Sequence, residues 1–152
     1  MVYSSGVTQS DESLSAGIWD ELVAEAIKAR KFAYAPYSNY KVGAALLTSD
    51  GQIYRGCNIE NAGYSPSTCA ERTAIFKAIT EGVREYEAIA VVTSDGGAPC
   101  GVCRQVMREF APNLTVIVGD LVGNYRVYRL PELLPDSFGP ENLGLKSLSD
   151  RC

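Results

Sequence analysis

The sequence contains no histidine, and that absence excludes a large part of enzyme chemistry. Ser-His-Asp triads and Cys-His pairs need an imidazole base, and zinc sites built on paired histidines are excluded with them. A proton shuttle must then be a carboxylate, lysine, tyrosine or thiol, and a soft metal must be held by cysteine. A basic surplus is also lacking: 14 Lys and Arg stand against 18 Asp and Glu, a net charge of −4. Nucleic-acid binders usually carry the opposite balance, so no nucleic-acid partner is expected. No run approaches ~18 consecutive apolar residues, so no membrane span is expected. Residues 1–6 have neither a basic start nor an apolar run, so they do not read as a secretory signal. The cysteines are Cys57, Cys69, Cys100, Cys103 and Cys152. An odd number without a signal fits a reducing, cytoplasmic setting with free or metal-bound thiols.

What is present suits one domain. The chain has 152 residues, of which 46% are apolar and 21% charged, ordinary values for a globular protein. Residues 1–16 are polar and read as a loose N-terminal arm, 17–145 as the domain and 146–152 as a tail. Apolar residues at helical spacing (Trp19, Leu22, Val23, Ala26, Ile27) predict a helix over 18–34, ended by Pro36. Segments 41–48 and 52–59 read as strands joined by an Asp50-Gly51 hairpin. A helix is predicted over 69–80 with Gly82 past its end, then a covered strand over 88–93 and a third helix over 101–110. The last strands, 114–118 and 125–130, are too close for a parallel crossover and are expected to pair antiparallel. The order predicts an α/β fold, a mixed sheet with helices packed against it.

The chemistry gathers at cysteines. Cys100 and Cys103 form a C-x-x-C pair, which alone is a redox dithiol, half of a zinc site, or two structural thiols. Both sit at a predicted helix N-terminus, where the dipole favours thiolates. Cys69 starts another helix, so two helix ends can converge on one cation. Three thiolates leave one tetrahedral position open, the pattern of a catalytic zinc site. A closed structural site would add Cys57 or Cys152. Glu71 has two readings. It can complete a capping box with Thr68, or it can lie beside the open metal position and move protons. Three thiolates would leave the site net negative, which a cation such as Arg72 would offset. Otherwise Arg72 is a solvated helix residue.

The run Cys69-Ala70-Glu71-Arg72-Thr73-Ala74, followed by Pro99-Cys100-Gly101-Val102-Cys103-Arg104-Gln105, resembles the small, all-cysteine cytidine deaminases. Cysteine replaces the histidine of the general zinc-deaminase signature. The likeness extends through residues 35–45, 56–62 and 133–138 and covers about 21–143. It implies a three-layer αβα domain with a five-stranded mixed sheet and helices on both faces.

It further implies one Zn2+ per chain on Cys69, Cys100 and Cys103, with Glu71 as proton shuttle and Arg72 paired to the thiolates. Substrate contacts by resemblance are Tyr40, Asn58, Glu60, Ala62, Tyr64, Ala70 and Phe138. Asn58 and Glu60 would read the ribose 3′-hydroxyl, and Phe138 would be lent to a neighbouring subunit. The implied activity is hydrolytic deamination of cytidine, and of deoxycytidine, within pyrimidine salvage, by a homotetramer that shares its sites between subunits. A carboxylate at Glu60 would repel a 3′-phosphate, which argues against a polynucleotide substrate. Two departures stand out. Tyr40 occupies a position where phenylalanine is commoner, so its hydroxyl needs a partner. The connection before Cys100 is short. Outside the resemblance stand a closed structural zinc module, which would need Cys57, and a thiol-disulfide oxidoreductase, whose βαβ context is missing.

Overall fold

Period-two alternation along the middle strands divides the molecule into layers. The computed structural model describes residues 9–146 and Arg151, with side chains from Ser15 onward. Among these residues, strands β1 (Gly43–Thr48), β2 (Ile53–Cys57), β3 (Tyr86–Val92), β4 (Thr115–Gly119) and β5 (Tyr125–Arg129) form one sheet in the order β2-β1-β3-β4-β5. The helices are α1 (Gln9–Arg30), α2 (Ala70–Thr80), α3 (Gly101–Phe110) and the short α4 (Leu130–Leu133), followed by a 3-10 turn at Pro140–Leu143. Ala45, Ala88, Ala90, Val92 and Ile117 face Leu22, Val23 and Ala26 of α1. Their sequence neighbours Ala44, Leu46, Ile89, Val91, Val116 and Val118 face the other way, toward Ala74, Ile75 and Ala78 of α2 and Cys103 and Met107 of α3. This is the three-layer αβα architecture that the resemblance implies.

Two glycines let the helices approach. A Cβ on Gly43 would lie 2.0 Å from the Ala26 carbonyl oxygen of α1, and one on Gly56 would lie 2.4 Å from the Ala70 carbonyl oxygen of α2. Both contacts are backbone, so no side-chain rotation would relieve them. Gly56 therefore seats the first turn of α2, next to Cys69.

Connections follow the expected rules. The β1–β2 pair is an antiparallel hairpin, with Gly51 at φ 85° in its turn. β3 and β4 run parallel, joined through α3, as a crossover connection requires. β4 and β5 pair antiparallel, as their short connection predicts. Strand ends differ from expectation by one or two residues, and α3 spans the predicted residues.

Helix α1 departs at both ends. It starts at Gln9, so residues 9–16 of the expected loose arm are helical. Extending a helix already anchored by Leu22, Val23 and Ala26 costs little once it is nucleated. It stops at Arg30, well before Pro36. The chain tightens there, with the Phe32 and Ala33 amides donating to the Ala29 and Arg30 carbonyls, both at 3.1 Å. It must leave the helix early to bring Tyr34 beside the strand end. The Tyr34 amide donates to the Asn58 carbonyl (3.0 Å), and the Glu60 amide donates to the Tyr34 carbonyl (2.8 Å). Long-range backbone pairing outweighs local helical spacing here.

Candidate active site

Two loops deliver the thiols. After β2, the Ile59 and Thr68 backbones exchange two hydrogen bonds of 2.9 Å, closing the 60–67 loop. This places Cys69 as the extended residue before α2, with φ −72° and ψ 155°. After β3, residues 93–99 lead to Cys100, which caps α3 with φ −67° and ψ 166°. Cys103 follows one turn later and is fully buried. The three Sγ atoms lie within 4.8 Å of one another, and those of Cys69 and Cys100 are 3.8 Å apart. Zn–S bonds of ~2.3 Å in a tetrahedron put ligand sulfurs roughly 3.8 Å apart, so the cluster fits zinc. Cys57 stands outside the cluster, and burial pushes its thiol up, so it does not close the site. Cys152 lies outside the described residues.

The thiols are electrically unequal. A hydrogen bond from Cys103, followed by one from Arg72, holds Cys69 well below an ordinary thiol, while Cys103 is pushed up by the same partnership and by burial. Ligand thiols bind a cation deprotonated, so a metal seated among them would displace their protons. Arg72 Nη2 donates to Cys69 Sγ at 3.4 Å, so Arg72 is half-buried and paired with a thiol instead of being a solvated helix residue.

Glu71 is buried, with 3% of its surface exposed. The capping-box reading does not hold: α2 is capped by Cys69 with no side-chain cap bond, and the Thr68 hydroxyl instead donates to the Pro66 carbonyl at 3.3 Å. Among the described residues, the buried side-chain polar atoms without a partner are Glu71 Oε2 and Arg72 Nε. Leaving a polar atom buried and unpaired costs about 1–3 kcal/mol. Both lie on the first turn of α2, beside the thiols. Burial pushes the Glu71 carboxyl up to about 7, with the Cys69 charge adding to the rise. A group poised near neutrality suits proton transfer in both directions.

These groups open into a cavity of about 370 Å³, at the lower end of the range for small-molecule pockets. Cys69, Glu71, Arg72 and Cys100 form its floor, and Tyr40, Asn58 and Glu60 stand on its walls. The Asn58 amide braces one wall: its Oδ1 accepts from the Val42 amide and its Nδ2 donates to the Tyr40 carbonyl, both at 2.8 Å. Glu60 accepts from the Tyr37 amide (3.0 Å), the Ser38 amide (3.2 Å) and the Ser38 hydroxyl. The Ser38 bond leads in holding its carboxyl below the usual carboxylate range. The Tyr40 hydroxyl finds its partner in Asp95, at 2.6 Å.

Four expected contacts lie elsewhere in this chain. Ala70 is buried beneath the floor. Ala62 and Tyr64 sit on the exposed 60–67 loop, with the Tyr64 ring 6.5 Å from that of Tyr37. Tyr64 holds φ 57°, a conformation that bulky residues rarely adopt. Phe138 is 59% exposed and does not line the cavity. Other cavity residues, Ser38, Ser67, Thr93, Gly97 and Ala98 among them, carry no chemical signature of their own. Their signal is position, since Ser67, Gly97 and Ala98 lie two or three residues before Cys69 or Cys100.

Residues 18–119 match the family model of the cytidine and deoxycytidylate deaminase zinc-binding region. A cytidine deaminase of Sporosarcina psychrophila is 50% identical over 127 residues, spanning 82% of this chain and 93% of that protein. A probable cytidine deaminase of Dictyostelium discoideum is 38% identical, over 86% of this chain and 90% of that one. The crystal structure of cytidine deaminase from Burkholderia pseudomallei superimposes with a TM-score of 0.75 at 53% identity, covering 78% of this chain and 97% of the other. With three thiols at zinc-ligand spacing and a buried glutamate beside them, the chain belongs to the cytidine deaminase family of zinc enzymes.

Proposed function

We propose that the protein hydrolyses the exocyclic amino group of cytidine, giving uridine and ammonia, and that it accepts deoxycytidine as well. The observation that carries this reading is Glu71 Oε2, buried without a partner, beside three clustered thiols, on the floor of a nucleoside-sized cavity. Cys69, Cys100 and Cys103 hold the zinc, which when bound makes a water molecule acidic enough to attack at neutral pH. Glu71 Oε2 would take one proton of the attacking water and donate it to ring N3 so that C4 becomes electrophilic, and would then pass the second proton, from the newly added C4 hydroxyl, to the departing amino group. Atoms balance as cytidine plus water to uridine plus ammonia. Arg72 stays paired with Cys69 throughout and offsets the thiolate charge.

Recognition is assigned to the walls. Asn58 and Glu60 meet the ribose hydroxyls, and the ionised Glu60 repels a 3′-phosphate, so the substrate is a nucleoside and not a polymer. The Tyr40 ring covers one face of the base. Ala62, Tyr64 and Phe138, exposed in the single chain, complete sites between subunits of a homotetramer. Among the described residues no helix is long and apolar enough to cross a membrane; a cytoplasmic role in pyrimidine salvage goes with the nucleoside substrate.

The test is ammonia release by zinc-replete protein supplied in turn with cytidine, cytosine and cytidine 3′-phosphate. Release from cytidine, with little from the other two, is expected. Equal release from the free base would overturn the ribose roles of Asn58 and Glu60, and absence of release from cytidine would overturn the reaction itself.

A further inference from the structure

The short connection before Cys100 is tied at its two ends by different residues. At the metal end, Arg104 Nε donates to the Pro99 carbonyl at 2.8 Å, which fixes the approach to Cys100 from within α3. At the strand end, the buried Thr93 donates its amide to the Gly119 carbonyl at 3.2 Å. Between them lie Gly96, at φ 68°, and Gly97, and glycines give a loop little stiffness of its own. Yet Thr93, Gly97 and Ala98 form part of the cavity wall.

One side chain from another segment of the cavity lining, Tyr40, reaches this stretch. Asp95 Oδ1 accepts both the Tyr40 hydroxyl (2.6 Å) and the Thr93 hydroxyl (3.0 Å), and Thr93 Oγ1 in turn accepts the Gly97 amide at 2.6 Å. Tyr40 is itself fixed beside Asn58, to whose Nδ2 its carbonyl is an acceptor (2.8 Å), and its amide donates to Ser38 Oγ (3.0 Å). A Cβ on Gly97 would lie 2.5 Å from the Tyr40 hydroxyl oxygen, so loop and ring are in close contact. From β5, Arg126 Nη2 donates to the Gly96 carbonyl at 2.8 Å and steadies the outer side, whereas the Tyr40 hydroxyl joins the loop to the segment that Asn58 braces.

We propose that the Tyr40 hydroxyl and Asp95 form a latch that holds residues 93–97 in place as a wall of the nucleoside pocket, making Asp95 a positioning residue for substrate binding. The inference rests on the reading of Tyr40 as a substrate wall. A phenylalanine at this position could cover the base but could not make the latch. Because Arg104 secures the metal end independently, the latch acts on binding and leaves zinc in place.

The experiment measures KM, kcat and zinc content for Tyr40→Phe, Asp95→Ala, the double variant and Asp95→Asn. Losing one hydrogen bond corresponds to a roughly three- to tenfold rise in KM, expected for Tyr40→Phe, with at least as large a rise for Asp95→Ala. The double variant should match Asp95→Ala alone, because the hydroxyl has nothing left to hold. Asp95→Asn keeps the Oδ1 acceptor and should restore KM toward the wild-type value. Unchanged KM in both single variants, additive effects in the double variant, or losses that track zinc content would overturn the latch. Tyr40→Leu separates the two levels of the argument. If removing the ring leaves KM unchanged, the substrate-wall reading falls. If it raises KM while Tyr40→Phe and Asp95→Ala remain silent, only the latch falls.

Discussion

The floor and the rim of the cavity are built on different terms. The floor is set by two helix N-termini seated on the core: Gly56 admits α2 against the sheet, and Cys103 of α3 is fully buried. Its two unpaired atoms, Glu71 Oε2 and Arg72 Nε, are held in place by packing. The rim is made of loops whose polar groups satisfy one another, as Glu60 does with Tyr37 and Ser38, while Tyr37, Tyr64 and Phe138 stand exposed outside the cavity lining. The floor thus gathers thiols, carboxylate and guanidinium within one chain, whereas Tyr64 and Phe138 stand exposed on its surface. A buried polar atom is costly to leave unpaired, and among the described residues both such side-chain atoms lie in the floor. The rim carries no comparable deficit.

Substitutions can separate the two regions. The largest effect is expected from Cys103→Ser, which removes a buried ligand: metal analysis should show zinc lost together with activity, and full zinc retention would remove Cys103 from the site. Next comes Arg72→Ala. Groups hydrogen-bonded to metal ligands are worth roughly 10–100-fold in metal affinity or activity, and a chelator competition assay should show a loss of that order. The glycine pair follows. Gly43→Ala and Gly56→Ala each force a backbone contact, at an expected cost of about 1–3 kcal/mol in denaturant unfolding. Only Gly56→Ala should also weaken zinc binding, because it alone displaces the turn after Cys69; equal zinc affinity in both would contradict the seating role given to Gly56. The smallest effect belongs to the rim. Glu60→Gln should raise the KM for cytidine by roughly three- to tenfold, with zinc content unchanged.

The floor was far more legible in sequence than the rim. C-x-x-C, a third cysteine at a helix start and a nearby glutamate are chemical signals that survive without coordinates. The choice between capping and catalysis for Glu71 was not legible, because it depends on where the Thr68 hydroxyl points; the structure sends it to Pro66. Nor was the separation of Cys57 from the cluster, which spacing alone leaves open. Strand alternation and the close spacing of the last strands carried the layers and the antiparallel edge. The ends of α1 differ from the sequence expectation for opposite reasons. Its start reflects cheap extension of an anchored helix, and its stop reflects backbone pairing of Tyr34 with Asn58 and Glu60, a contact between segments far apart in sequence. The rim's partners, such as Asp95 for Tyr40, meet across 55 residues and have no local pattern to announce them.

In the proposed mechanism one buried carboxylate, Glu71, moves the protons of the reaction while three thiols hold the metal. Ammonia release from cytidine by Glu71→Gln, measured alongside its bound zinc, tests this most directly. Glutamine keeps the shape of the side chain but cannot shuttle protons, so turnover is expected to fall by about 10²–10⁴-fold with one zinc still bound per chain. Near wild-type turnover, or loss of activity that merely follows loss of zinc, would contradict the account.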